Sequence, residues 1–253
     1  MHPRPALPAF ASVAPALVLL CVASTVPGIA RGAGEAQAKA RELATSLAQE
    51  VPVFEKGCGL GDGWACLVLG IVHEEGLGVS RSRARANAMY EQACELGEGA
   101  GCFALGTAFR NGLGVEASRE RANALFEAGC RLGSGDACSV LGHAWSEGLG
   151  VEGSEERTYA LFVKACRMGS GNGCTNLGSV LAAGRGVERS QEGANEAYEK
   201  GCRLLDGRGC LALGIAHARG LGVERSHERA SALYDDACRL GCGPLAHDLG
   251  RRA

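Results

Sequence analysis

Apolar side chains recur along this chain at the spacing of one face of an α-helix. In the stretch from Ser82 to Leu96, SRARANAMYEQACEL, apolar positions follow the order i, i+3, i+4, i+7 and i+8, which is the stripe of a helix with 3.6 residues per turn. These positions are Ala86, Met89, Tyr90, Ala93 and Cys94. Ser82 is suited to the N-cap because its hydroxyl can accept a bond from a free backbone N–H, and Gly97 is suited to the C-cap.

A second helix is predicted from about Gly101 to Asn111. One of its faces carries four apolar or small residues at helical spacing: Cys102, Leu105, Gly106 and Phe109. The following sequence, Gly112-Leu113-Gly114-Val115, favours a break, because glycine punctuates helices. The two predicted helices therefore form a hairpin, and the glycine of the Leu-Gly pair allows them to approach closely.

The hairpin is repeated in tandem with a period of 36 residues. Three kinds of position return in one register: a C-x7-C cysteine pair, a Leu-Gly pair and a single aromatic residue. The cysteine pairs are Cys58/Cys66, Cys94/Cys102, Cys130/Cys138, Cys166/Cys174 and Cys202/Cys210; the Leu-Gly pairs begin at Leu69, Leu105, Leu141, Leu177, Leu213 and Leu249; the aromatic residues are Phe54, Tyr90, Phe126, Phe162, Tyr198 and Tyr234. A fixed period of this length predicts an all-α solenoid over 51–253, and the nearly uniform aromatic column is expected in its core.

The chain has 13 cysteines, which is a high count. In a secreted chain such a count predicts disulfides, and in a cytosolic chain it predicts metal or redox sites. In each hairpin one cysteine lies in the last turn of the first helix and the other in the first turn of the second. An antiparallel turn brings such positions within the distance that a disulfide spans. Zinc sites favour C-x2–4-C spacing with converging ligands, redox sites favour C-x-x-C, and haem attachment needs C-x-x-C-H, so the pairs fit these alternatives less well.

The segment 1–30 resembles a secretory signal peptide. Arg4 precedes a short apolar run at 14–23, and Gly28-Ile29-Ala30 offers small residues for cleavage after Ala30. A membrane anchor or a lipoprotein at Cys21 fits less well, because Pro15 and Pro27 interrupt the run and Leu20 precedes the cysteine. A secreted or periplasmic location is therefore expected. The segment 31–50 is predicted to be a helical lead-in or cap.

The pattern A-x-x-x-L-G-x-x-x-x-x-G-x-G-V followed by A-x-x-x-Y/F-x-x-A-C-x-x-G resembles the Sel-one-like repeat. It occurs from Ala65 through Val79 and from Ala86 through Gly97, and the match extends over about 43–250. The 36-residue period with C-x7-C resembles the cysteine-rich secreted bacterial members of that family. The resemblance implies a right-handed α/α solenoid of about six 36-residue disulfide-clipped hairpins, which acts as a non-catalytic adaptor and binds a protein or peptide on its concave surface.

Some cysteine-rich relatives are named β-lactamases or penicillin-binding proteins, so the resemblance also implies an alternative function: β-lactam binding or weak β-lactam hydrolysis. The last repeat departs from the pattern. There Ala246 stands at the position of the second cysteine, and Cys242 follows Cys238 by four residues. Cys238 and Cys242 are expected either to bridge each other or to stay reduced.

No catalytic or metal-binding set is evident in the sequence, and no cofactor is expected. None of the four lysines has a serine three residues before it, so the S-x-x-K motif of serine β-lactamases is missing, and the histidines are widely spread. One column varies in type between repeats, and its members His73, Phe109, Trp145 and His217 are candidate ligand-binding residues; otherwise it is a packing position with a solvent-facing edge. Aromatic anchors dominate binding hot spots.

Charge adds little about the partner. The chain has 26 basic and 28 acidic residues, and this balance does not indicate a nucleic acid or, after signal removal, a membrane. A monomer is expected. Arginines in the first turns of the leading helices are expected to be solvated and paired with Glu75, Glu91 or Glu95; they are Arg83, Arg85, Arg119, Arg121, Arg157 and Arg229.

Overall fold

The structure is a computed structural model that describes residues 49–241, and all its regular elements are helices. Within that range the helices are 49–59 (α1), Gly63–Glu75 (α2), Arg83–Glu95 (α3), Gly99–Asn111 (α4), Arg119–Arg131 (α5), Gly135–Glu147 (α6), Glu155–Arg167 (α7), Gly171–Ala183 (α8), Gln191–Arg203 (α9), Gly207–Arg219 (α10) and His227–Arg239 (α11). The predicted signal peptide lies outside the described residues. Of the predicted lead-in, only 49 and 50 are described, and both are helical.

The predicted helix starts are confirmed, with a small shift at the ends. Ser82 is the N-cap of α3, and its Oγ accepts a bond from the backbone N–H of Arg85 at 3.3 Å. The equivalent serines cap the corresponding helices; they are Ser118, Ser154, Ser190 and Ser226. The C-cap of α3 is Leu96 rather than Gly97, which follows it with φ +88°. The second helix begins at Gly99, two residues earlier than predicted.

Two kinds of helix alternate to form the solenoid. We call α1, α3, α5, α7, α9 and α11 the aromatic helices, because they carry the aromatic column, and α2, α4, α6, α8 and α10 the glycine helices, because they carry the Leu-Gly pair. From α2 onward each helix packs on the next one in the chain, and each glycine helix also contacts the next glycine helix. Consecutive aromatic helices approach each other less closely. The predicted solenoid of helical hairpins is therefore confirmed.

The aromatic column packs on the glycines of the Leu-Gly pairs. Phe126 is almost fully buried, and a Cβ atom added to Gly106 would lie 2.7 Å from its Cε1. The same contact recurs between each glycine helix and the following aromatic helix, and the shortest such distance is 2.2 Å, from a Cβ atom added to Gly70 to Tyr90 Cε1. The six aromatic side chains are between 1% and 8% exposed, so the prediction of a core role is confirmed. Glycine is needed here because any side chain would occupy the space of the ring.

Five disulfides close the short turns between an aromatic helix and the following glycine helix. They join Cys58–Cys66, Cys94–Cys102, Cys130–Cys138, Cys166–Cys174 and Cys202–Cys210, with Cα–Cα distances from 4.4 to 4.7 Å. The cysteine on each glycine helix is fully buried. Cys238 forms no disulfide with a described residue. Cys242 lies outside the described residues, so the Cys238–Cys242 bridge stays a prediction.

The longer turns, which lead from a glycine helix to the next aromatic helix, are anchored by asparagines. Asn87 Nδ2 donates to the backbone oxygen of Leu113 at 2.8 Å, which ties the loop after α4 back to α3. Asn123 and Asn195 make the same bond to Leu149 and Leu221. Each of these bonds therefore fixes the loop that leads from one hairpin to the next.

Leu205 occupies a backbone conformation that the other repeats reserve for glycine. Its φ is +65°, whereas Gly61, Gly97, Gly133 and Gly169 hold the equivalent turn position. A side chain costs about 1–2 kcal/mol in this left-handed region, and Leu205 is 74% exposed, so burial does not offset that cost. We expect Leu205→Gly to raise the free energy of unfolding by about 1 kcal/mol. Urea unfolding followed by circular dichroism measures this, and a loss of stability would contradict it.

Candidate functional site

The four predicted binding residues share one position on the glycine helices, and each lies near an arginine of the next aromatic helix. The guanidinium carbon of Arg157 is 4.4 Å from the centre of the Trp145 ring, and that of Arg121 is 5.6 Å from the Phe109 ring. Such cation–π contacts contribute about 0.5–1 kcal/mol at exposed sites. Trp145 and Phe109 are half-buried. The separation along the chain between the ring position and its arginine is the same in every case.

Three of these positions lie in cavities of the same construction, which we call the His73, Trp145 and His217 clefts. Their volumes are about 440, 700 and 710 Å³. In each cleft a leucine and the named residue of a glycine helix form the floor, the preceding aromatic helix supplies a glutamate, and the following aromatic helix supplies an arginine. The leucines are Leu69, Leu141 and Leu213; the glutamates are Glu55, Glu127 and Glu199; the arginines are Arg85, Arg157 and Arg229.

The two histidines differ in their hydrogen bonding. His217 is 9% exposed, and its Nδ1 lies 3.1 Å from the backbone oxygen of Glu224. The Nδ1 of His73 is buried and has no hydrogen-bond partner. Burial lowers the pKa of His73, the positive charge of Arg85 lowers it further, and Glu55 raises it in part. The His73 cleft therefore presents a neutral imidazole at neutral pH.

The charged side chains that line the His73 and Trp145 clefts take part in none of the ion pairs between described residues. Within 49–241 there are four ion pairs, and the only one that includes a cleft residue joins Arg203 to Glu199 at 3.8 Å. Arg157 therefore faces Glu127 across the Trp145 cleft without a direct salt bridge. The predicted pairing of the first-turn arginines with Glu75, Glu91 or Glu95 is wrong, because helix geometry directs Arg121 and Arg157 onto aromatic rings instead.

The lining of the clefts is suited to holding side chains. In the part of the chain that the structure describes, no group of three or more histidine, cysteine, aspartate or glutamate side chains is placed to hold a metal ion. None of the helices between 49 and 241 is long and apolar enough to span a membrane. An apolar floor flanked by acidic and basic side chains can take an apolar side chain and orient charged groups beside it.

Sequence reasoning identified the floor residues and missed the arginines that cover them. The signal was present, since an arginine follows the ring position at one fixed separation in four repeats: Arg85, Arg121, Arg157 and Arg229. The spacing of apolar residues within one helix does not reveal this relation, because the ring and the arginine belong to different helices.

The fold and these open clefts define a class of protein: a helical-repeat solenoid whose clefts lie along an extended surface. The family described as Sel1 repeat matches residues 65–98, 99–134, 135–170, 171–204 and 207–242, and the chain belongs to that family. The resemblance predicted from the cysteine and glycine spacing is thereby confirmed.

Two solved structures show the same fold over most of the chain. A Sel1 repeat protein from Oxalobacter formigenes is 24% identical, with a TM-score of 0.67 over 72% of this chain and 74% of that chain. The immunity protein Pa5087 from Pseudomonas aeruginosa is 17% identical, with a TM-score of 0.55 over 96% and 86%. A shorter match is cysteine rich protein B (hcpB) from Helicobacter pylori, which is 27% identical, with a TM-score of 0.43 over 52% and 97%. A comparison with curated proteins found no match.

Proposed function

We propose that this protein is an exported, non-catalytic scaffold that binds a peptide or an extended segment of a protein. Five disulfides in one chain are typical of an oxidising compartment, which supports a secreted or periplasmic location together with the signal-like sequence at 1–30. The repeated hairpins supply a rigid surface that needs no cofactor. No arrangement of the described residues favours the alternative of β-lactam hydrolysis.

The observation that carries this proposal is the recurrence of one cleft on every second repeat, at His73, Trp145 and His217. Arginine and tryptophan are enriched among the residues that dominate binding energy, and Arg157 and Trp145 meet at 4.4 Å in the Trp145 cleft. Clefts that return every second repeat suit a ligand that is itself extended, because its side chains can enter them in turn. We therefore place the ligand across these clefts.

The location differs from the concave surface expected from the resemblance. Consecutive glycine helices contact one another, whereas consecutive aromatic helices are farther apart. In a curved array the more closely spaced helices lie on the inner side. We therefore assign the concave surface to the glycine helices and the clefts to the side on which the aromatic helices diverge.

A selection with a phage-displayed library of random linear peptides tests the proposal, and Trp145→Ala is the informative variant. We expect enriched peptides to bind saturably, and we expect the variant to weaken their binding at least about tenfold, because truncating a hot-spot residue costs about 2 kcal/mol or more. Isothermal titration calorimetry measures the affinities.

The matched control is His143→Ala. His143 lies two residues before Trp145 on the same helix, and its side chain is exposed. Its Nε2 lies 3.5 Å from Glu147 Oε1. We expect this variant to bind like the parent protein. A library that yields no saturable peptide, or equal losses from both variants, would refute the proposed binding role.

A further inference from the structure

The repeat between α7 and α9 departs from the period at the positions that line a cleft. Val163 replaces the acidic residue that the other aromatic helices carry there: Glu55, Glu91, Glu127, Glu199 and Asp235. Leu181 replaces the ring, and Gly193 replaces the arginine. Tyr159 stands where Asn87, Asn123 and Asn195 anchor their loops. These four replacements fall within one period of the repeat.

These replacements remove the acid and the base that face each other across the other clefts and leave valine, leucine and glycine at the three positions. A Cβ atom added to Gly193 would lie 3.6 Å from Leu181 Cδ1, so the leucine occupies the place where other repeats stack an arginine on a ring. Leu181 is half-buried and packs against the cluster of Ala194, Tyr198 and Leu213. Val163 is also half-buried. We call Val163, Leu181 and Gly193 the neutral subsite.

The clefts on either side of the neutral subsite have opposite charge balance. The Trp145 cleft is lined by three basic residues, Arg131, Arg157 and Lys164, and two acidic residues, Glu120 and Glu127. Glu120 Oε2 accepts a bond from the Ser118 hydroxyl at 3.1 Å and keeps its charge, so the lining holds one basic residue in excess. The Trp145 cleft therefore favours an anion.

The His217 cleft has the reverse balance. It is lined by three acidic residues, Glu192, Glu196 and Glu199, and by the two basic residues Arg203 and Arg229. Arg203 pairs with Glu199 at 3.8 Å, which leaves Glu192, Glu196 and Arg229 without an ion pair and one acidic residue in excess. This cleft therefore favours a cation.

We propose that the surface across α5 to α11 selects an extended peptide of fixed charge order: an acidic residue in the Trp145 cleft, aliphatic residues over the neutral subsite and a basic residue in the His217 cleft. This inference rests on the proposed function and names its ligand. The two charged clefts are two repeats apart. Each repeat advances this surface by about the 8–10 Å that separates neighbouring packed helices. Two such spacings separate the clefts, so an extended segment of about six residues or more connects them.

The peptide selection tests this order directly, with the native chain as bait. The expected result is that enriched sequences carry aspartate or glutamate on one side of an aliphatic stretch and lysine or arginine on the other. Enriched peptides that bind saturably but lack this segregation would overturn the charge order and leave the proposed function intact. Failure to enrich any peptide would overturn both.

Two sets of variants then distinguish specific contacts from general electrostatics. Arg157→Gln is expected to weaken a selected peptide at least about tenfold, because a hydrogen bond to a charged group is worth about 1.5–3 kcal/mol. Glu196→Gln is expected to weaken it by a similar factor. Arg83→Gln removes an exposed cation from α3, outside the proposed footprint, and is expected to change the affinity less than about twofold.

The double variant Val163→Glu/Gly193→Arg restores the repeat pattern at the neutral subsite. We expect it to fold, because the other repeats tolerate the same residues, and to lose the selected peptide by at least about tenfold through desolvation of the new charges. Circular dichroism confirms folding independently of binding. Unchanged affinity in this variant would overturn the assignment of the neutral subsite.

Discussion

Removal of the central disulfide, by Cys130→Ala together with Cys138→Ala, is expected to lower the free energy of unfolding by about 2.5 kcal/mol. The bridge closes a loop with a sequence separation of eight residues, and the chain-entropy model assigns about that value to such a loop. The buried position of Cys138 adds a loss of packing. Urea unfolding followed by circular dichroism measures the change.

The matched control removes the terminal bridge, by Cys58→Ala together with Cys66→Ala. In a linear repeat array each hairpin is stabilised by its neighbours. Loss of the central disulfide therefore weakens the interfaces with the hairpins on both sides, whereas loss of the terminal disulfide weakens one interface only. We therefore expect the terminal variant to lose less stability than the central one. Reduction of all five disulfides is expected to unfold the array, since the summed effect approaches the total stability of an ordinary domain. A reduced chain with unchanged stability would contradict this.

Gly70→Ala is expected to destabilise the protein by about 2 kcal/mol through overpacking, although alanine is the better helix former. The added Cβ would lie 2.2 Å from Tyr90 Cε1 and 2.4 Å from its Cδ1, so the ring must move. The ring is 3% exposed, and its hydroxyl donates to Glu74 Oε2 at 2.6 Å, which limits how far it can shift. Thermal unfolding measures the loss, and the near-ultraviolet signal of Tyr90 reports the displaced ring.

Gly59→Ala is the control for this variant. Gly59 is the last residue of α1, and a Cβ atom there would meet nothing within 4 Å. We expect this variant to be as stable as the parent or more stable, by up to about 1 kcal/mol. Equal destabilisation by both substitutions would show that the close packing of the ring on Gly70 is not the cause.

Much of the fold follows from contacts that are local in sequence. The serine caps act on backbone groups three residues away, and the disulfides join positions eight residues apart. The aromatic ring and the glycine it covers belong to neighbouring helices, but the 36-residue period repeats the pair and so reveals it. Helix bounds, the hairpin, the core column and the paired cysteines were therefore predictable.

The sequence by itself determined the repeat, its helices and its disulfide framework, because each of these is specified within one hairpin and written five times or more. Only the tertiary structure decided which charges meet. Arg157 stacks on Trp145 rather than pairing with a glutamate, and Asn87 bonds to the loop that leads to the next hairpin. These contacts depend on the angle between consecutive hairpins. That angle is set by many small packing terms and has no short sequence signature, so the order of charged and neutral clefts along the surface emerges only when the hairpins are stacked.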